Sequence, residues 1–364
     1  EAAKKDHQAG KAYAGYKGTS LGNSASSGRE GAVVIGDSVN SQGLYSTVIG
    51  TDSVLNTNNI PAIFGKNVQG AAATIVGAKN TVDNKKGKAY SGVANGIFGS
   101  ANKIQNSNGV TIQGSGNTVT NAYKDMSGRD FSLGGVSVKK DAGAVGVIGG
   151  MNTVSNQIYT NVIGFGNTVA GDAANISNDV FLAGSRNNLT NVSDSIVMGN
   201  DNTISEKSNV ISFGHKNGIT ASDAVAIGNG AGVSVEGGVA LGVGSVASTA
   251  AGELGYGAAK DDETATWKAT HGAVSVGGNG ATRQITNVAA GTADTDAVNV
   301  AQLKKVSETA ANANKGWKLK TTGGTESVVA PGATVEFDGD ANIQVGNVGN
   351  RVSVTLKKQL TGIQ

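Results

Sequence analysis

Few side chains in this sequence have the types and spacing that catalysis or metal binding requires. There is no Cys, and the three His residues, His7, His215 and His271, lie in separate stretches. A thiolate nucleophile and a disulfide framework are therefore excluded, and a His-based metal site lacks ligands. Gly-rich strings such as Gly164-Phe165-Gly166 do not follow a strand and open a helix, as a nucleotide-binding loop must. The carboxylates are dispersed, so we predict no catalytic residues, no metal site and no cofactor.

Two segments that interrupt a repeated pattern carry the side chains best suited to binding a ligand. One is rich in Lys and could attract an anionic polymer, although solvated loop charge is the simpler interpretation. The other, residues 122–143, combines aromatic and Arg side chains, which are common in binding hot spots. Its apolar residues could instead pack against a neighbouring subunit. The candidate ligand-binding residues are Lys85, Lys86, Lys88, Tyr123, Arg129 and Phe131.

The composition excludes several broad classes of protein. The formal net charge is +2 over 364 residues, which is too small to indicate a nucleic-acid partner. No apolar stretch approaches the roughly 18–20 residues of a membrane helix, so we predict no membrane contact by this segment. No signal-peptide pattern opens the chain, and we expect an exported protein to be represented here by a processed or excised fragment.

A short apolar run that ends in Gly recurs along the first two thirds of the chain. Examples are Val34-Ile35-Gly36, Ile63-Phe64-Gly65 and Val162-Ile163-Gly164, and the basic spacing between glycines is 14–15 residues. This period is too short for helical repeats of about 33–47 residues and fits two short strands with two turns. In eight consecutive repeats an Asn follows the Gly by three residues: Asn80, Asn102, Asn117, Asn152, Asn167, Asn187, Asn202 and Asn217.

These repeats predict a β-solenoid whose stacked coils align the Asn side chains in a ladder. The ladder is interpreted as turn residues with a satisfied backbone, with a carbohydrate or ion surface as the alternative. Many strands carry two adjacent apolar residues before the Gly, as in Val197-Met198. Successive residues of a strand face opposite sides, so both sides must be buried. Because the chain offers no helix to cover the outer side, we predict a homo-oligomer, whose order this pattern does not give.

The pattern changes after the repeats. Residues 260–266 are expected to form a polar loop, and Ala273–Gly277 resembles one last coil strand. Asp294-Thr295-Asp296 is the expected N-cap region of a helix. Residues 317–364 alternate apolar and polar residues and predict a small β-module. Heptad spacing predicts a short parallel coiled coil through Leu303, Val306, Ala310, Ala313 and Trp317.

The string from Arg283 to Leu303 resembles the neck motif of trimeric autotransporter adhesins, the surface fibres of Gram-negative bacteria. Residues 223–242 resemble the YadA-like head repeats of this family, and residues 317–364 resemble its Trp-ring or GIN-type modules. The resemblance implies an all-β protein with a short coiled coil, whose head is a left-handed parallel β-roll in a homotrimer. It divides the chain into a head (1–260), a last coil and neck (261–303), a short trimeric coiled coil (304–316) and a β-module (317–364).

The resemblance also implies a function without catalysis. A rigid trimeric head would bind host extracellular matrix, a host cell-surface protein or glycan, or another bacterial surface multivalently. The protein would lie at the bacterial cell surface, anchored in the outer membrane through a C-terminal barrel not present in this sequence. The Asn-rich half-repeats and the insertions at 83–92 and 122–143 depart from the family pattern, so collagen binding is not carried over.

Two other functions are compatible with a solenoid. A monomeric β-helix enzyme acting on polysaccharide would need clustered carboxylates in a groove, and no repeated acidic pair is present. An ice-binding solenoid would need a regular Thr array, whereas Thr is irregularly placed along this sequence. Neither alternative accounts for the neck.

Overall fold

The computed structural model describes residues 13–14, 17–57, 70–84, 92–123, 127–133, 136–138, 143–173, 177–278 and 280–362. For residues 13, 127–133, 136–138 and 177 it describes only the backbone. The chain forms two compact units, Glu1–Gln284 and Ile285–Gln364.

Two parallel sheets form the first unit, and within the described residues each has 14 strands. Sheet 1 contains the strands of the first half of each repeat, most of which include the repeat Gly. Sheet 2 contains the strands of the second half. The strands of sheet 1 are Thr19–Leu21, Val33–Asp37, Thr47–Thr51, Thr74–Ala78, Gly96–Ser100, Val110–Ser115, Val145–Gly150, Asn161–Phe165, Val180–Ser185, Ser195–Asn200, Ile211–His215, Val225–Asn229, Val239–Leu241 and Val274–Ser275. The strands of sheet 2 are Tyr13–Ala14, Ser26–Ser27, Asn40–Ser41, Val54–Asn56, Thr81–Asp83, Lys103–Gln105, Thr118–Thr120, Thr153–Ser155, Thr168–Ala170, Asn188–Thr190, Thr203–Ser205, Gly218–Ile219, Gly232–Val233 and Val246–Ala247.

The chain alternates between the two sheets, so one coil contributes one strand to each, and the predicted β-roll is confirmed. Successive coils stack in register, with Gly149 opposite Gly164 and Gly164 opposite Gly184. The β-branched residue two positions before the Gly is buried in the roll, as Ile75 and Val162 are. The middle residue of a three-residue strand in sheet 2, such as Val154, is buried against these core residues of sheet 1. Full burial of each such side chain contributes about 1.5–3 kcal/mol, which accounts for a core without disulfides.

The predicted repeat Ile63-Phe64-Gly65 lies, in the sequence, between the strands Thr47–Thr51 and Thr74–Ala78, which pair directly with each other. Residues 58–69 lie outside the described residues. In the sequence this run follows Pro61 and lacks the Asn three residues after its Gly.

Every insertion joins a strand of sheet 2 to the next strand of sheet 1. Removing residues 58–69, 85–91, 123–142 and 172–176 places the flanking repeat glycines 15 positions apart in each case. The excursion between Ala247 and Val274 leaves the roll at the same corner. We call this side of the roll the insertion edge.

The opposite corner keeps a constant length because it is sterically fixed. Gly164 has φ +135°, and a Cβ on it would overlap the carbonyl oxygen of Gly184 in the next coil. Only glycine fits such a position without strain. Three residues later, the buried Asn167 connects this turn to its neighbours. An inserted residue here would break the stacking, whereas the insertion edge has no such constraint.

Two smaller pairings belong to the first unit. Ser127–Leu133 and Val136–Val138 form an antiparallel hairpin inside the insertion at residues 123–142. Gln157–Ile158 pairs in parallel with Ser177–Asn178.

The second unit contains one helix, Val300–Ala313, and four strands within its described residues. Asn299 caps the helix and forms a reciprocal capping box with Gln302, so the prediction that residues 294–296 supply the cap is wrong. Asp296 instead accepts backbone hydrogen bonds from Thr292 and Ala293 in the preceding turn. The strands form two antiparallel hairpins, Trp317–Leu319 with Ser327–Val329 and Ile343–Val348 with Arg351–Leu356.

Candidate binding surfaces

The predicted Asn ladder is confirmed, and it lies inside the roll. In the series from Asn102 to Asn202, each side-chain Nδ2 donates to Oδ1 of the preceding Asn at 2.9–3.1 Å. The same Nδ2 donates to the carbonyl oxygen of the Gly in the next coil at 2.7–3.0 Å. Each Oδ1 in this series also accepts the backbone N–H of the next Asn at 2.9–3.0 Å.

Ser53 replaces Asn at the start of the ladder and accepts the backbone N–H of Asn80. The eight Asn are at most 3% exposed. Their polar groups are used inside the coil, and the alternative of a carbohydrate or ion surface on these residues is excluded. The ladder is a structural element that satisfies buried backbone groups at every turn.

The outer face of sheet 1 is apolar in the single chain. The residue just before each repeat Gly points outward, and several of these side chains are large and exposed: Phe98 47%, Ile148 49%, Ile163 41%, Met198 44%, Phe213 37% and Ile227 39%. In the second half of the roll, Phe181, Ile196 and Ile211 add a second apolar file beside the first. We call this surface the subunit face. It extends over many coils, and a contiguous exposed apolar surface of this kind marks an interaction site.

The structure locates only part of the predicted ligand site. Lys85, Lys86 and Lys88 lie outside the described residues. Tyr123 is half-buried at the base of the longest insertion, and Arg129 and Phe131 lie on the hairpin strand Ser127–Leu133. The insertions that carry all six residues leave the roll at the same edge, a relationship that the spacing of residues in the sequence does not reveal.

Charged residues that the sequence analysis did not single out lie at the Gly corner of three successive coils. The Arg186 guanidinium donates to both carboxylate oxygens of Asp201, at 2.7 and 2.9 Å. His215 Nδ1 lies 3.2 Å from Asp201 Oδ2. The hydrogen bonds from Arg186 hold the pKa of Asp201 below its usual value. Arg186 and Asp201 each lie two residues after a repeat Gly, and this equivalence would have indicated their contact, because such positions stack directly.

Arg283 closes the C-terminal end of the roll. Its guanidinium donates to the carbonyl oxygens of Val243 and Val276, both at 2.5 Å, and to Ser245 Oγ at 3.0 Å. It also borders an open depression of about 510 Å³ whose lining includes Val246 and Thr249. These carbonyls belong to the last coils, so Arg283 supplies hydrogen bonds that a further coil would otherwise provide.

Within the described ranges, no group of three or more His, Asp or Glu side chains is arranged to hold a metal ion. In the same part of the chain, no helix has both the length and the apolarity needed to cross a membrane.

Comparison with known proteins matches parts of this chain to trimeric autotransporter adhesins. Residues 284–325 match the family described as the coiled stalk of trimeric autotransporter adhesins. The chain is 41% identical over 119 residues to the autotransporter adhesin BadA of Bartonella henselae, covering 31% of this chain and 4% of that protein. It is 55% identical over 69 residues to the trimeric autotransporter adhesin AtaA of an Acinetobacter species, covering 17% of this chain and 2% of that protein. The predicted resemblance to trimeric autotransporter adhesins is confirmed.

Among solved structures, the collagen-binding domain of the Yersinia adhesin YadA matches over 78% of this chain and 87% of that one, at 17% identity. Its TM-score is 0.19, too low to support an argument about shape. The chain spans only a few per cent of the two relatives named above.

Proposed function

We propose that this chain is a non-enzymatic segment of a trimeric bacterial surface adhesin, with a β-roll head, a neck, a short coiled coil and a β-module. The subunit face is the single observation that carries the proposal. Three copies packed about one axis would cover it. In the second unit, the exposed helix residues Leu303 and Val306 would pack against the same residues of the other copies. The relatives support adhesion, because BadA and AtaA are both described as adhesins.

The first test is the mass of the whole chain in solution by light scattering after gel filtration. One chain has a mass of 36.1 kDa, so a trimer of about 108 kDa is expected. Ile163→Lys combined with Met198→Lys places charges on the subunit face and should shift the mass toward one chain. A matched control, Thr153→Lys combined with Thr203→Lys, places the same charges on the outer face of sheet 2 and should leave the trimer intact. A folded wild-type monomer would refute the shared interface.

The insertion edge is the proposed ligand site within this adhesin. It carries Lys85, Lys86 and Lys88 on one insertion and Tyr123, Arg129 and Phe131 on another. A trimer would present three such edges, so weak contacts at each would gain avidity. We propose that the ligand is a host matrix or cell-surface component or another bacterial surface, with the protein exposed at the bacterial cell surface.

The register of the coils allows each insertion to be removed without breaking the stack. Joining Ala122 directly to Gly143 makes a coil equivalent to the uninterrupted one that contains Ser107. Joining Asn84 to Gly92 removes the Lys-rich insertion in the same way. Both spliced variants and the wild type would be tested on collagen, fibronectin, heparin and cultured cells. Loss of binding in one variant, with its melting temperature and trimer mass retained, locates the site. Unchanged binding in both variants would refute it.

The rival function, cleavage of polysaccharide by a monomeric β-helix enzyme, predicts a different result. Such an enzyme would release reducing ends from polysaccharides and would not require the trimer. Assaying the wild-type chain and the Lys variant of the subunit face on a set of neutral and acidic polysaccharides separates the two. Release of reducing ends by either protein would refute the non-enzymatic proposal.

A further inference from the structure

The outer face of sheet 2 is the second large surface of the roll, and it is chemically unlike the subunit face. From the strand Thr118–Thr120 to the strand Thr203–Ser205, five consecutive coils present their first and third residues outward. The first residues of these strands form one file: Thr118, Thr153, Thr168, Asn188 and Thr203.

The third residues form a parallel file: Thr120, Ser155, Ala170, Thr190 and Ser205. Thr or Ser occupies all but two of the ten positions in the two files, and none is charged or large and apolar. The expectation that Thr is too irregular to form an array is therefore wrong for these coils. The insertions disturb the spacing of Thr in the sequence, but they leave the roll at one edge and do not disturb its spacing in the sheet.

The array has a regular geometry set by the backbone. Neighbouring strands of a sheet lie about 4.8 Å apart, so five coils extend the files over about 19 Å. Residues i and i+2 of a strand are about 6.7 Å apart, which is the distance between the two files. The middle residue of each strand, such as Val154 or Val169, is fully buried and holds the strand in place. The hydroxyl groups are thus presented on a preorganised surface.

A file of carboxamides borders the hydroxyl files at the adjoining turn. Asn106, Asn121 and Asn156 occupy equivalent positions with positive φ. The Nδ2 of Asn121 donates to Oδ1 of Asn156 at 3.1 Å, and the Nδ2 of Asn156 donates to the carbonyl oxygen of Gly171 at 3.0 Å. This fixes the orientation of the amides beside the hydroxyls. Charge lies at both ends of the face: Asp83 and Lys103 precede it, and Glu206 occupies the equivalent turn position after Ser205.

We propose that this hydroxyl face binds a neutral polysaccharide chain lying along the roll. Hydroxyl and carboxamide groups both donate and accept hydrogen bonds, as sugar hydroxyls do, and the Thr methyl groups can contact the apolar faces of sugar rings. The ten positions of the two files carry no charge, so the files themselves offer no attraction to an anionic or cationic polymer. Repetition along the coils converts individually weak contacts into a measurable affinity, and a trimer carries three such faces. The inference rests on the proposed adhesive function and names a ligand class for a surface separate from the insertion edge.

The test uses the whole chain and three neutral probes: dextran, a linear β-1,3-glucan and an oligomer of β-1,4-linked N-acetylglucosamine. Saturable binding to at least one, measured by biolayer interferometry, is expected, with heparin as the anionic comparison. Thr153→Val combined with Thr168→Val removes two hydroxyls while keeping β-branched side chains. This double variant should weaken binding at least about tenfold, equivalent to about 1.4 kcal/mol. The matched double variant with Ser at both positions keeps the hydroxyls and should bind within about twofold of the wild type.

The outcomes separate this inference from the proposed insertion site. The variant spliced from Ala122 to Gly143 should keep its affinity for the neutral probe, whatever happens to its binding to matrix proteins. Several results would overturn the hydroxyl face as a glycan site. One is the absence of saturable binding to every neutral probe. This outcome counts against the inference also if the protein shapes ice crystals instead. Another is equal binding by the Val and Ser variants at equal melting temperatures.

Discussion

Replacement of Asn152 tests whether the buried ladder holds the coils together. Its Nδ2 donates to Oδ1 of Asn117 at 2.9 Å and to the carbonyl oxygen of Gly164 at 2.8 Å. Its Oδ1 accepts from the backbone N–H and the Nδ2 of Asn167, at 3.0 and 2.9 Å. Asn152→Ala therefore leaves the buried backbone N–H of Asn167 without a partner. It also removes one of the two hydrogen bonds that the Gly164 carbonyl accepts, the other being the sheet bond from the Gly150 N–H. An unsatisfied buried group costs about 1–3 kcal/mol and a lost hydrogen bond about 1 kcal/mol, so the expected loss of unfolding free energy is about 2–4 kcal/mol per chain.

The assay is guanidinium unfolding followed by far-UV circular dichroism, at one protein concentration because the stability of an oligomer depends on concentration. Asn188→Ala is the control, since this Asn lies exposed on the outer face of sheet 2. Its effect should stay within about 0.5 kcal/mol. If the two variants lost the same amount, the ladder would not be the element that stabilises the stack.

A second variant at the same position adds a pH dependence. In Asn152→Asp the new carboxyl faces two acceptors, Oδ1 of Asn117 and the Gly164 carbonyl, in a buried site. Burial and these acceptors favour its neutral form, so its pKa in the folded chain should lie above the ordinary value of about 3.9. A raised folded pKa means that stability is greatest at low pH and falls as the pH rises through that pKa. If the stability of this variant relative to wild type increased between pH 4 and pH 8, the reasoning would be refuted.

Three further predictions concern single positions. Gly164→Ala should destabilise the roll by several kcal/mol in thermal unfolding, because the new Cβ meets the Gly184 carbonyl oxygen. Gly166→Ala should cost about 1 kcal/mol, since only a flexible side chain lies near that position. Equal effects of the two variants would contradict the stacking argument. Asn299→Ala should lower helix content and cost about 1 kcal/mol, measured by circular dichroism of the whole chain, because it removes the cap. Two backbone N–H groups hold the pKa of Asp296 below its ordinary value of 3.8. The stabilising contribution of this carboxylate is therefore present above pH 3.8 and lost as the pH falls through the folded pKa. Carboxyl NMR, with Asp296→Asn for assignment, would contradict this by a titration midpoint at or above 3.8.

Much of the first unit could be predicted from the sequence because each coil is built by short-range rules. A β-branched residue two positions before Gly and an Asn three positions after it occupy fixed places in one coil, so the period gives the strands, the turns and the ladder. The run at residues 63–65 carries the apolar residues and the Gly of this rule, and it lies outside the described residues. The helix cap was misplaced because Asp296 and Asn299 are both good capping residues, and only the structure shows that Gln302 completes the box with Asn299.

The candidate sites were harder to predict because they depend on which residues of different coils become neighbours. The files of Thr and Ser on sheet 2, and the Arg186–Asp201–His215 contact, join residues 14 or more positions apart. The alignment of the Thr and Ser files becomes visible only after the insertions are removed from the count. The six candidate ligand residues were chosen for their types within two insertions, and the structure adds that both insertions leave the roll at one edge.

The two corners of each coil therefore have different physical roles, and this difference explains how a repetitive head can carry specific binding sites. At the Gly corner, a Cβ or an extra residue would collide with the next coil and break the ladder, so both length and residue type are constrained. At the insertion edge, additions of 5 to 20 residues leave the register of the next coil unchanged. New loops can be added there at little cost to the shared core, and the subunit face on sheet 1 is not disturbed. A loop transplanted between coils at this edge should therefore retain the trimer, whereas the same loop placed after Gly164 should unfold it.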